Sequence, residues 1–149
     1  MRNLINEAMY FLGCNHFSTA IVDGKFPASA SFIDVSNFDE FAFIVKAGSL
    51  NSALTLQVKQ DTSATQTGSI KDVTGATVVI GATDDDTLYI IPVEVAKLDG
   101  ANSFRYVTLD ISGAAGGDDY ASVNFVGYNA RHQPVTQPSG TTVVTPVAG

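Results

Sequence analysis

The sequence predicts an all-β fold, an antiparallel β-sandwich of the jelly-roll or immunoglobulin-like kind with extended arms at both ends. Three observations predict it. Apolar and polar residues alternate with the two-residue period of a half-buried strand, most cleanly over residues 54–59, 88–95 and 104–111. Clusters of Gly, Asp, Asn and Ser punctuate the chain about every ten residues, the spacing of turns in sandwiches and barrels. No convincing long helix interrupts the strands, so a parallel α/β sheet is excluded.

Residues 1–27 read as an N-terminal arm or short helix followed by an edge strand, with a turn at Val-Asp-Gly-Lys 22–25. Met9, Tyr10, Phe11 and Leu12 form an apolar cluster there that a small sandwich does not obviously cover, and exposed clusters of this kind mark interfaces. The body spans 28–128. It starts with a short strand at 31–35. Next comes 41–46, with Phe41, Phe43 and Val45 on one face and Ala42 and Ile44 on the other, a pattern that predicts burial on both sides. In 54–59, Leu54, Leu56 and Val58 point inward, and Thr55, Gln57 and Lys59 outward.

Two short strands, 70–73 and 77–80, are expected across a turn at 73–75. The next strand, 88–95, carries Tyr89, Ile91, Val93 and Val95 on one face. Pro92 cannot donate to a ladder, so this strand belongs at a sheet edge or bulges. Segments 104–111 and 120–128 flank a Gly/Asp loop and read as a long-looped hairpin, the spine of the body.

Residues 129–149 form an extended C-terminal arm held open by Pro134, Pro138 and Pro146. Val135, Val143, Val144 and Val147 are its apolar anchors, and Arg131 is available to a carboxylate. The expectation is that this arm crosses onto a neighbouring subunit, with an ordinary frayed C-terminus as the alternative, and that truncation after Tyr128 leaves the sandwich folded.

Composition limits the function. A chain of 149 residues with 45% hydrophobic and 15% charged residues builds one folded domain with a largely neutral, polar surface. A net charge of -7 repels phosphate backbones, which argues against nucleic-acid binding. No apolar run approaches the ~20 residues of a membrane-spanning helix. The single cysteine, Cys14, allows neither an internal disulfide nor a zinc-ligand spacing.

Catalysis needs a nucleophile, a base and an orienting group together. Cys14 and His16, two apart, would share a strand face, but nothing supplies an oxyanion hole, and a buried small thiol is the plainer fate. His132 lies in the tail, between Arg131 and Pro134. The acidic runs Asp84, Asp85, Asp86 and Asp118, Asp119 lack the calcium-loop pattern and read as solvated loop charges, with a Ca²⁺-binding loop as the alternative. Gly116 and Gly117 precede neither a lysine nor a helix start, so they do not form a phosphate cradle. The reading is therefore not an enzyme, with no catalytic residue, no cofactor and no metal site.

At the spine and tail the sequence F-R-Y-V-T-L-D-I-S-G, a Gly/Asp loop, Y-A-S-V-N-F-V-G-Y-N-A-R and P-V-T-Q-P resembles small structural proteins of tailed bacteriophages, the head decoration or cement proteins. The earlier S-F-I-D-V, F-D-E-F-A-F-I-V and L-T-L-Q-V-K-Q-D fit the same style of consecutive hairpins, so the resemblance covers residues 31–138. It implies a β-sandwich or jelly-roll body, often trimeric, seated where subunits of the major capsid protein meet. The protein would be made in the host cytoplasm and act on the capsid surface of the virion. Another virion role, in the tail or in head completion, and a glycan- or Ca²⁺-binding module are the alternatives.

Overall fold

The computed structural model describes residues 8–15, 18–28, 30–67, 69–115, 117–140 and 142. Nine strands are present among them: β1 (Tyr10–Asn15), β2 (Gly24–Phe26), β3 (Ile33–Asp34), β4 (Phe38–Ala47), β5 (Leu54–Asp61), β6 (Lys71–Ile80), β7 (Leu88–Glu94), β8 (Tyr106–Ser112) and β9 (Ala121–Ala130). They form two antiparallel sheets. One has the order β1-β9-β4-β7. The other has the order β2-β8-β5-β6, with β3 also paired to β8.

β2 meets residues 109–111 of β8 and β3 meets residues 106–107, so the two act as successive halves of one edge strand. Counted that way the pairing is nested: β1 with β9, β2/β3 with β8, β4 with β7, β5 with β6. Eight strands in two sheets, wound so that only β5–β6 is a local hairpin, make a jelly roll.

The two faces that meet are chemically different. The β4/β9 sheet contributes aromatic rings: Phe41, Phe43 and Phe125 are essentially fully buried, with Phe38 and Tyr10 beside them. Phe125 stacks on Phe41 at a centroid separation of 5.6 Å and meets Phe43 edge-on at 5.4 Å. The other sheet answers with aliphatic side chains, Leu54, Leu56 and Val58 from β5 and Val107, Leu109 and Ile111 from β8, all buried. Gly127 faces inward where the Phe38 ring would lie 2.9 Å from any added Cβ, so the ring takes the place of a side chain.

The structure departs from the sequence reading in four places. The 104–111 and 120–128 segments are not a hairpin, because β8 and β9 belong to different sheets and the loop between them crosses the sandwich. The expected turn at 73–75 is a bulge inside the single strand β6: Gly75 has φ +80°, and the Gln57 side-chain amide donates to the carbonyls of Val58, Val73 and Ala76, bonding across the disturbed register.

β4 is fully buried on its inner side but only in part on the other, where Ala42 is buried by its neighbours, Ile44 is half-covered and no second layer lies over them among the described residues. Finally, the boundary at residue 28 does not hold, since β1 and β2 are strands of the sandwich itself. A helix before Tyr10 would fall largely on residues 1–7, outside the described residues. The edge position of β7 is as Pro92 requires.

Candidate interaction surface

The outer face of the β1-β9-β4-β7 sheet is assembled by register. One row across it is Phe11, Val126, Ala42 and Pro92; the next is Gly13, Asn124, Ile44 and Ile90; Lys46 and Leu88 follow. Because alternate residues of β4 and β7 fill the core, these side chains point to the other side. Ala42 and Val126 are buried among their neighbours, while Phe11, Leu88 and Ile90 are 36%, 55% and 58% exposed. A contiguous apolar strip therefore runs across an open sheet face, bounded at one end by Glu40, Glu94 and Tyr128 and at the other by Lys46.

The opposite outer face is built otherwise. Lys59 bridges Asp72 at 2.6 Å and Asp110 at 3.5 Å, and Lys25 reaches Asp110 at 3.6 Å. The hydrogen bond that Lys59 donates to the Asp72 carboxylate is the main reason its ammonium is held above its ordinary range. Exposed pairs of this kind contribute little stability. They give this face a charged cluster that the other lacks, with Val79 as its exposed apolar residue.

The sequence-predicted interface residues divide. Tyr10 and Leu12 point inward and pack on the sandwich's own core, Tyr10 against Phe38 and Phe125 with ring centroids 6.0 and 6.1 Å away. They need no partner subunit, because β1 is a strand of the sheet and not an arm. Phe11 is on the open face. Met9 gives its carbonyl to the Gln137 side chain, whose own oxygen accepts from Phe11 N–H at 3.1 Å.

Arg131 pairs with Asp39 of its own chain at 2.8 Å, and Val135 packs on the core. Asn37 holds the backbone of His132 through both side-chain atoms, at 2.9 and 3.1 Å. The tail thus returns to the body as far as Gln137, contrary to the expectation of an arm that leaves at residue 129. Truncation after Tyr128 removes Val135 and strips the β1 edge. Val143, Val144 and Val147 lie outside the described residues.

The acidic loops close turns. Asp84 accepts from Gly81 N–H at 2.8 Å, Asp85 from Leu50 N–H at 2.9 Å, and Asp86 pairs with Lys46 at 3.6 Å. Asp119 is buried and takes four hydrogen bonds, from the amides of Asn51, Ser52 and Ala115 and from the Ser52 hydroxyl. Among the described residues no three potential ligands gather as a metal site would require.

A cleft of about 360 Å³ opens between β6 and β7, lined by residues 73–76 and 92–94 together with Glu40, Lys97 and Tyr128. Burial, followed by a hydrogen bond to Glu40, raises the Tyr128 phenol. Glu40 and Glu94 oppose each other across β4 and β7, a pairing that only the register reveals.

His16 lies outside the described residues, so its pairing with Cys14 does too. Cys14 itself is half-buried, and burial pushes its thiol up to about 12. At pH 8 it is a thiol and a poor nucleophile. Native protein is therefore expected to react with a thiol-specific disulfide reagent at least about a hundredfold more slowly than protein unfolded in urea. Equal rates would show the thiol to be accessible.

No family model, curated protein or solved structure matches this chain. The apolar face itself was within reach of the sequence. Leu88, Ile90 and Pro92 alternate with Tyr89, Ile91 and Val93, so a strand already marked as an edge is apolar on both sides.

Proposed function

We propose that the protein is a non-enzymatic assembly component and, on the family resemblance, a capsid decoration or cement protein that stabilises the lattice of a phage major capsid protein. The observation that supports an assembly role is the contrast between the two outer faces. A sandwich whose second face carries a cluster of ion pairs, and whose first has an apolar row across four strands, is suited to lie with that first face against another protein surface. The threefold joints of a lattice suit a homotrimer, which the same resemblance implies.

Density for this chain at the junctions of capsid subunits, in electron-microscopy reconstructions of purified particles, is the expected result. Its location in the tail or at the head–tail joint would move it to another virion role, and its absence from particles would end the reading. Leu88→Asp combined with Ile90→Asp tests the face. Each side chain is already exposed, so circular dichroism and stability should stay close to wild type. Attachment to particles should weaken about a hundredfold, the loss of ~1.4 kcal/mol of apolar burial at each position. Unchanged attachment would show that the capsid meets some other surface.

A further inference from the structure

The sheet that carries the apolar face has two edges, and they differ. The β1 edge is occupied by the chain's own Gln137. At the β7 edge the hydrogen bond from Ala47 N–H to Thr87 O, 2.9 Å, sets which residues bond to β4. Bonded pairs alternate in an antiparallel ladder, so Tyr89, Ile91 and Val93 face Val45, Phe43 and Phe41 through their backbone groups. Leu88, Ile90, Pro92 and Glu94 turn theirs outward. Pro92 therefore lacks a donor only on the free side and leaves the β4 ladder whole. Leu88 and Ile90 combine open backbone groups with exposed apolar side chains, the combination that templates a further strand.

We propose that this edge receives residues 141–147 of a neighbouring copy as an added strand, which rests on the assembly reading above and names where one copy grips the next. Charge favours this occupant over a second β7. Asp84, Asp85, Asp86 and Glu94 bound the edge, and antiparallel pairing of two β7 strands would bring Glu94 of one copy towards the acidic turn of the other. The chain from 133 to 149 carries no charged side chain.

Periodicity agrees. Thr-Thr-Val-Val-Thr-Pro-Val at 141–147 is rich in β-branched residues. With odd-numbered residues bonded to the edge, Val143 and Val147 join the face of Leu88 and Ile90, and Pro146 turns its missing donor away from β7, while Pro92 offers the added strand its carbonyl alone. Reach favours a neighbour over the same molecule. Gln137 is held at Met9 and Phe11 of β1, three strand spacings or ~14 Å across from β7 and further along it from Ile90. The six residues to Val143 span at most ~20 Å, and the turn at Gly140, φ +88°, takes up part of that length. Donor and acceptor sit at opposite edges, so the contact is head-to-tail and closes into a ring where the rotation permits, a trimer among them.

The test uses full-length chains. Ile90→Cys and Val143→Cys are made in separate proteins and mixed under mild oxidation, with the unsubstituted chain as the background for Cys14. A disulfide joining the two different chains is the expected product, identified by mass spectrometry. A disulfide forming only within a chain that carries both substitutions would put the tail on its own molecule, and no disulfide in either arrangement would leave the edge without it; both outcomes overturn the proposal.

Ile90→Pro removes the outward N–H alone and is expected to weaken self-association about tenfold in sedimentation, where Ile90→Thr, which keeps the N–H, weakens it less. Equal effects of the two would rule out strand addition. These measurements on isolated protein are independent of whether it is found in particles.

Discussion

Phe125→Ala is expected to lower the free energy of unfolding by about 3–5 kcal/mol, measured by urea denaturation at neutral pH. Phe125 is 1% exposed and lies at the centre of the aromatic layer, with the rings of Phe41, Phe43 and Tyr10 all within 6.1 Å of it. Removing it takes away the apolar transfer energy of the ring and three ring–ring contacts, each worth roughly 0.5–1.5 kcal/mol beyond burial. The cavity cannot collapse easily, because β9 is held between β1 and β4 on both sides.

Total stabilities are only about 5–15 kcal/mol, so this variant stands near the threshold of folding. Phe11→Ala is the control. Its ring lies on the open face, and its loss should cost no more than about 1 kcal/mol. Comparable losses for the two would mean that the core is not where the aromatic rings place it.

What the sequence revealed of this fold was the strands, and what it concealed was their partners. Leu54, Leu56 and Val58 alternate with polar neighbours, and all three are fully buried. Pro92 alone located β7 at an edge, because a missing donor has a definite geometric consequence. Pairing in a jelly roll is nested, however, and the residues that decide it are far apart in the chain. The 104–111 and 120–128 segments look like partners because they are adjacent, yet β8 pairs with β5 and β9 with β4.

β1 escaped notice for a different reason. Tyr-Phe-Leu-Gly-Cys has no polar residue at the outward positions, since its outer side, Phe11 and Gly13, belongs to the apolar face. The same absence of alternation that hid the strand is the signature of the surface. Gln137 could not be read at all, because a glutamine side chain that completes a sheet edge looks in sequence like any polar residue of a proline-rich tail.

Asp119→Ala is expected to cost about 3–5 kcal/mol, an unusually large value for a loop residue. In sequence Asp119 is half of an acidic pair beside glycines, and nothing distinguishes it from Asp118. In the structure its Oδ1 accepts from Asn51 N–H at 2.7 Å and Ser52 N–H at 3.0 Å. Its Oδ2 accepts from the Ser52 hydroxyl at 2.7 Å and Ala115 N–H at 3.0 Å. Its carbonyl meanwhile takes Ile21 N–H at 2.7 Å, so one residue joins the β4–β5 and β8–β9 crossings to the segment before β2.

Alanine would leave buried amides without an acceptor. Asparagine keeps one oxygen but turns its NH₂ towards donors, so Asp119→Asn should recover only part of the loss. The pH dependence follows from the same contacts. Burial pushes the carboxyl upward, but the Ser52 hydroxyl and the three amides outweigh it and hold it below the usual carboxylate value. A folded-state value below the unfolded one, about 3.9, means that the ionised form is what the fold binds. Its contribution is complete above the unfolded value and disappears as pH falls through the folded one. The stability gap between wild type and Asp119→Asn should therefore narrow on acidification below about pH 4. A gap that stays constant from pH 7 to pH 3 would mean that the charge of Asp119 plays no part in holding the crossings together.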